Sequence, residues 1–288
     1  MRPLDHLVLP VTALALARSR LTGLGFTVAP DAHHPFGTGN CCVFFPNRTY
    51  LEPITVLDPA AGDLAAAEGT FFISRLKRFV EGRGEGFAML AFRSEDAERD
   101  LRVLQQSELA AGPVFRFSRR AAQPDGSEAE VGVVLAYADD PRAPDTTLFC
   151  CQHLAADALF APAYLEHQNG ALGVAAVAAV AEDPAEFLEL LSAAAGGEVA
   201  EDEGGAFVAT LDGQRVSILT PGRFRERYGL DAPDPGRGLL LAAFDILVTD
   251  LDRAIGYAGP LAMRKGDQIV VPPSPGLGAV LTFRAADG

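Results

Sequence analysis

Four stretches of this chain repeat one order: a short apolar strand, a segment with helical spacing, then two or three further strands. Such a repeat limits the fold more than any single motif, because every unit must hide the same kind of exposed sheet face. The opening strands are His6-Leu7-Val8-Leu9-Pro10-Val11, Phe87-Ala88-Met89-Leu90-Ala91-Phe92, residues 174–180, and Phe244-Asp245-Ile246-Leu247-Val248. A cap-type residue follows each: Thr12, Ser94, Asp183, and Thr249 or Asp250. Leu14, Ala17, Leu21 and Leu24 then line one face of a first helix, and Ala97, Leu101 and Leu104 one face of a second. Strands return after each helix, with polar turns expected at Pro124-Asp125-Gly126 and Asp212-Gly213. One helix covers one face of a unit, and pairing two units gives a curved shared sheet around a cleft. The prediction is an α+β fold of four βαβββ-type modules paired into two domains, residues 1–160 and 161–288. An additional helix is predicted over 70–81, with Phe71, Phe72, Leu76, Phe79 and Val80 as its apolar face.

The first unit alone carries a histidine on its opening strand, His6, and a glutamate on its closing strand, in Tyr50-Leu51-Glu52. An imidazole and a carboxylate inside an apolar sheet are costly unless compensated, and a divalent metal would compensate them. A buried hydrogen-bonded pair is the plainer alternative. His34 and Asn40 sit in a Gly-rich loop of the same unit and are candidates for contact with a substrate. Arg116, Arg119 and Arg120 lie on or beside a strand of the second unit. They could bind a carboxylate or phosphate, or simply form an exposed, salt-bridged hairpin.

The net charge of −14 repels phosphate backbones, so neither nucleic acid nor an anionic membrane is an expected partner. The longest apolar run, 171–181, falls short of the roughly 18 residues of a spanning helix and reads as a buried strand. Met1-Arg2-Pro3 leads straight into a strand, and a cytoplasmic location is expected. Cys41-Cys42 and Cys150-Cys151 are adjacent pairs whose members point to opposite sheet faces. They are expected to be buried thiols rather than a zinc site or disulfides. No phosphate loop, dinucleotide fingerprint, calcium loop or serine elbow is present.

The order of Leu4-Asp5-His6-Leu7-Val8, His34-Pro35-Phe36-Gly37-Thr38-Gly39-Asn40, Tyr50-Leu51-Glu52, Phe149-Cys150-Cys151-Gln152-His153 and His167-Gln168-Asn169-Gly170 resembles the vicinal oxygen chelate superfamily. That superfamily includes glyoxalase I, bleomycin-resistance proteins and extradiol dioxygenases, and the resemblance is to its glyoxalase-like domains over about residues 4–170. It implies a metal held by the first and last strands of paired modules. Carried over, His6 and Glu52 match in the first module. In the second, the opening position falls near Phe87, which cannot ligate, while Gln152 and His153 lie close to the closing one. The implied ligand set is His6, Glu52 and His153, with zinc, iron, manganese or nickel as the metal. His34, Asn40, Arg116, Arg119, Phe87 and Gln152 are the expected substrate contacts. In the second half, Val174 or Ala175, Phe244, Ile218 and Leu281 occupy the matching positions, so a domain without ligands and without a polar cluster is predicted there.

These expectations converge on a metal-dependent lyase or isomerase acting on a small oxygenated molecule chelated through vicinal oxygens, with Glu52 as ligand and base. A ring-cleaving dioxygenase is the second reading, since two histidines and a carboxylate suit iron(II). The third is a metal-free binding or resistance protein using Phe36, Phe45, Phe87 and Phe117. A homodimer is compatible with the sequence.

Overall fold

The computed structural model describes residues 1–122, 126–202, 207–211 and 213–286. The first unit comprises β1 (Leu4–Pro10), α1 (Leu14–Gly23), β2 (Ala32–His33), β3 (Thr38–Asn40), β4 (Val43–Phe44) and β5 (Tyr50–Val56). Two helices, α2 (Pro59–Ala67) and α3 (Phe71–Arg83), lead to the second. That unit holds β6 (Met89–Arg93), α4 (Ala97–Gln106), β7 (Phe115–Ala122), β8 (Glu128–Ala138) and β9 (Thr147–His153). The third is β10 (Ala171–Val180), α5 (Leu188–Ala195), β11 (Ala200–Glu201), β12 (Phe207–Leu211) and β13 (Gln214–Leu219), followed by α6 (Pro221–Tyr228). The last is β14 (Leu240–Val248), α7 (Leu251–Ala258), β15 (Met263–Lys265), β16 (Gln268–Val271) and β17 (Val280–Ala285). The turns expected at Pro124-Asp125-Gly126 and Asp212-Gly213 lie partly outside the described residues.

The modules pair as predicted. In each, the opening and closing strands run parallel, β1 with β5 and β6 with β9. The two openers, β1 and β6, join antiparallel and fuse two modules into one sheet ordered β2-β3-β5-β1-β6-β9-β8-β7, with β4 also on β5. The second sheet repeats the scheme around β10 and β14, in the order β11-β12-β13-β10-β14-β17-β16-β15. Between the sheets lies a shared core. Leu7, Leu9, Leu90 and Phe92 from the first meet Val174, Val177, Phe244 and Ile246 from the second, with α1, α4, α5 and α7 contributing Leu21, Leu101, Leu191 and Ala254.

Strand alternation therefore leaves each sheet one further face. On the second sheet α6 closes it. Phe224 and Tyr228 are fully buried there against Ala178, Val180, Ala242 and Val270. This plug also carries a polar cluster where none was predicted. Asp245, fully buried on β14, accepts from Arg227 at 2.8 Å and from Thr282 Oγ1 at 2.7 Å. The prediction followed Phe244, but Phe244 turns toward the shared core and its neighbour Asp245 toward α6. On the first sheet, α3 covers part of the face through Phe72, Ile73, Leu76 and Phe79. The rest remains open as a pocket. Among the described residues, no helix is long and apolar enough to cross a membrane.

Candidate functional site

The pocket on the first sheet has an empty volume of about 650 Å³. Its wall is aromatic, from Phe36, Phe44, Phe72, Phe117, Tyr137 and Phe149, and its polar groups are few: His6, His34, Asn40, Glu52, Arg119 and His153. An apolar cleft with a handful of convergent polar groups is the usual form of a small-molecule site.

His6 reaches the pocket by strand parity: His6 and Val8 face it while Leu7 and Leu9 enter the core. On β5, Val8 lies opposite Glu52 and His6 opposite Tyr50, so the predicted histidine and glutamate share one face of the sheet. Asp5 joins them against parity, because the register between β1 and β6 shifts between Leu4 and His6. This bulge turns two consecutive side chains to one side.

Asp5, although fully buried, is well compensated. Its Oδ1 accepts from His6 Nδ1 at 2.7 Å and from His153 Nε2 at 2.8 Å, and its Oδ2 from Arg93 Nε at 3.2 Å. Burial by itself would raise the Asp5 carboxyl. The charge and hydrogen bond of His153, with those of His6, more than reverse it and hold Asp5 well below the usual carboxylate range. Asp5 thus fixes both rings as donors toward itself. Tyr50, stacked on His6 at 4.4 Å, and Phe149, edge-on at 5.3 Å, lock the His6 ring further.

In the neutral form of these rings the other nitrogens carry the lone pairs. His6 Nε2 faces Glu52 Oε2 at 3.6 Å, longer than a hydrogen bond. His153 Nδ1 is buried and has no hydrogen-bond partner among the described residues. Two ligands about 2.1 Å from one tetrahedral ion stand about 3.4 Å apart, close to the His6–Glu52 separation. Paired acceptors in a buried pocket are unfavourable unless a cation satisfies them. The donor set therefore fits a divalent metal, with Asp5 as the carboxylate that orients imidazole ligands. The ligand atoms of Asp5, His6, Cys151 and His153 lie within 4.8 Å of one another. Glu52 stands outside that group and meets it through His6. Cys151 was not singled out by sequence; burial keeps its thiol protonated, well above the ordinary value.

Glu52 is held from its other side. Asn40 Nδ2 donates to Oε1 at 2.6 Å, and also lies 3.3 Å from His34 Nε2. His34 Nδ1 pairs with Thr38 Oγ1 at 2.8 Å. Burial, opposed by Glu52 and aided by Arg119 and His33, lowers the His34 pKa to about 4, so its ring is neutral near pH 7. The loop presenting His34 closes through Gly37, whose φ of 85° belongs to glycine and whose site lies against the Asp58 carbonyl. Tyr137 adds a feature that sequence did not reveal. Its hydroxyl is buried at the pocket without a partner among the described residues, and burial keeps it protonated.

Three expected contacts lie elsewhere. Gln152 points to the back of β9, where its Oε1 accepts from Ala97 N at 3.2 Å, because Phe149, Cys151 and His153 take the pocket side. Arg116 likewise alternates with Phe117 and Arg119, and pairs with Glu98 at 2.8 Å. Phe87 precedes β6 and packs on Phe244 between the sheets, at 6.1 Å. Phe45 is also core, against Phe26 at 5.9 Å. Met89 and Ala91, which register with Val8 and His6, take the opening position of the second module and offer no ligand.

Residues 4–195 match the family described as Glyoxalase-like domain, two thirds of the chain. The chain belongs to that glyoxalase-like family. Solved structures agree on the fold. A hypothetical protein from Staphylococcus aureus is similar over 99% of this chain and 100% of its own, at a TM-score of 0.70 and 14% identity. A triple mutant of 4-hydroxymandelate synthase from Streptomyces coelicolor is similar over 100% of this chain and 95% of its own, at 0.57 and 16%. A fusion of a xylose isomerase-like TIM barrel with 4-hydroxyphenylpyruvate dioxygenase matches 100% of this chain over 50% of its own, at 0.55 and 15%. No curated protein matches the chain.

Proposed function

We propose that this glyoxalase-like protein is a metal-dependent enzyme that holds a small molecule by two neighbouring oxygens and moves a proton next to them. The observation that carries this is the meeting of three residues in one pocket: His6 Nε2 stands 3.6 Å from Glu52 Oε2, and the buried His153 Nδ1 has no hydrogen-bond partner among the described residues. Those three residues would hold the metal, which when bound supplies Lewis acidity toward the substrate oxygens.

The remaining work falls to the chain. Glu52 is both ligand and base, its carboxylate taking the substrate proton, while Asn40 donates to Oε1 and fixes the orientation of the group. His34, neutral, leaves that charge unquenched and with Phe36 and Phe117 keeps water from it. Tyr137 has a hydroxyl to donate to a substrate oxygen. A lyase or isomerase is the reaction class this arrangement serves. Ring-cleaving oxygenation is the second reading, supported by the pairing of two imidazoles with one carboxylate, which also suits iron(II).

Elemental analysis of the purified protein tests both. Zinc, nickel or manganese favours the isomerase or lyase. Iron together with oxygen uptake on catechols favours the dioxygenase. A protein that takes up none of these metals at neutral pH sinks both in favour of metal-free binding.

A further inference from the structure

We propose that the molecule taken by this pocket is a flat, apolar one, aromatic or nearly so, that carries a single carboxylate read by Arg119. This deepens the metal-dependent reading above and rests on it. The three arginines of the β7 hairpin, alike in sequence, are sorted by the structure. Arg116 is committed to Glu98 at 2.8 Å and Arg120 to Glu128 at 3.0 Å. Asp31, the other acid beside the outer chamber, pairs with Arg18. Arg119 has no carboxylate partner among the described residues, and its one hydrogen bond is a long 3.4 Å contact with the Arg120 carbonyl.

Its position makes that vacancy informative. Phe117 and Arg119 follow each other on the pocket face of β7, opposite Val133 and Val131. Arg119 lines both the inner pocket and a second, outer chamber, which share Asn40, Cys42, Phe44 and Leu159. An unpaired guanidinium thus stands where the aromatic chamber meets its approach, in a chain of net charge −14. A planar fork of donors matches one carboxylate in two parallel hydrogen bonds. The walls select the rest of the molecule. Phe36 meets Phe117 edge-on at 5.1 Å and Phe72 at 5.8 Å, a lining suited to a ring.

The test is calorimetric titration of the metal-loaded protein with phenylacetate and phenylacetamide, which share size and ring and differ in charge. Phenylacetate should bind about tenfold more tightly. Arg119→Gln should abolish that preference and leave phenylacetamide affinity unchanged, Arg119→Lys should keep part of it, and Arg120→Gln all of it. Equal binding of the two probes, or binding of neither, overturns the proposal. So does a preference that survives Arg119→Gln, which would put the carboxylate on the cation instead. Metal content measured on the same samples separates the two readings. Discrimination through Arg119 without bound metal refutes only the metal, and bound metal without discrimination refutes only the anion site.

Discussion

Asp5 and His6 are consecutive in β1 yet face the same pocket, and Asp5 Oδ1 holds His6 Nδ1 at 2.7 Å. The bulge that permits this sets the geometry of the centre, since the same oxygen also binds His153. Asp5 aims two imidazoles without presenting its own charge to solvent. Asp5→Asn keeps the volume but gives up the shared anionic acceptor. Its metal affinity is expected to fall ten- to hundredfold, measured by competition with a chromophoric chelator. Unchanged affinity would show that the rings are held by packing on Tyr50 and Phe149 alone.

His6→Ala and Glu52→Gln separate an enzyme from a binding protein. Each removes one of the two groups that face each other at 3.6 Å. Bound metal is expected to drop from about one per chain to a small fraction in both variants. Affinity for a chelating probe such as acetohydroxamate should fall with it. Retained probe affinity after loss of the metal would move the protein to the metal-free reading.

The parts of this site that were legible in the sequence are those governed by strand parity. His6 and Glu52 lie in phase on adjacent strands, and His34 comes from a turn that its glycine announces, although Asn40, expected in the same loop, lies on β3. Parity applied more strictly would also have removed Gln152 and Arg116, each the neighbour of a pocket-facing residue. Asp5 was hidden for the opposite reason: a one-residue bulge breaks the alternation, and no local pattern marks it. The fold shows the same division. Helices with a clear apolar stripe, such as α3, were predicted close to their observed bounds. The helix α2 was missed because its Ala-rich run has little contrast between faces, although Asp58 caps it ahead of Pro59. The plug α6 was missed because Phe224 and Tyr228 stand alone among charged neighbours, and only the second sheet explains their burial.

Tyr137→Phe distinguishes a functional hydroxyl from a packing defect. The Tyr137 hydroxyl is buried without a partner among the described residues, so removing it relieves a desolvation cost. Stability in urea is expected to stay equal or rise by up to about 1 kcal/mol. Affinity for acetohydroxamate in the metal-loaded protein should nevertheless fall several-fold. A variant that loses stability would show that the hydroxyl has a structural partner instead.

His167 gives the fold a predictable weakness in acid. Its Nδ1 accepts from Thr27 N at 3.1 Å and its Nε2–H donates to the Phe44 carbonyl at 3.0 Å, so the neutral ring is the one that fits. Burial among Phe26 and Phe45 lowers its pKa to about 4, against the favourable pull of the Phe44 carbonyl. The unfolded chain, with an ordinary histidine near 6.5, binds the proton first. Stability from this residue is therefore complete above about pH 6.5 and is lost as the pH falls toward 4. The loss is on the order of 3 kcal/mol if the full shift is realised. His167→Gln cannot titrate, so urea denaturation of the two proteins from pH 7 to pH 4 isolates the effect. The wild-type protein should lose more stability than the variant over that window. Parallel curves would mean that a proton enters the folded ring freely, and that Thr27 and Phe44 do not hold it neutral.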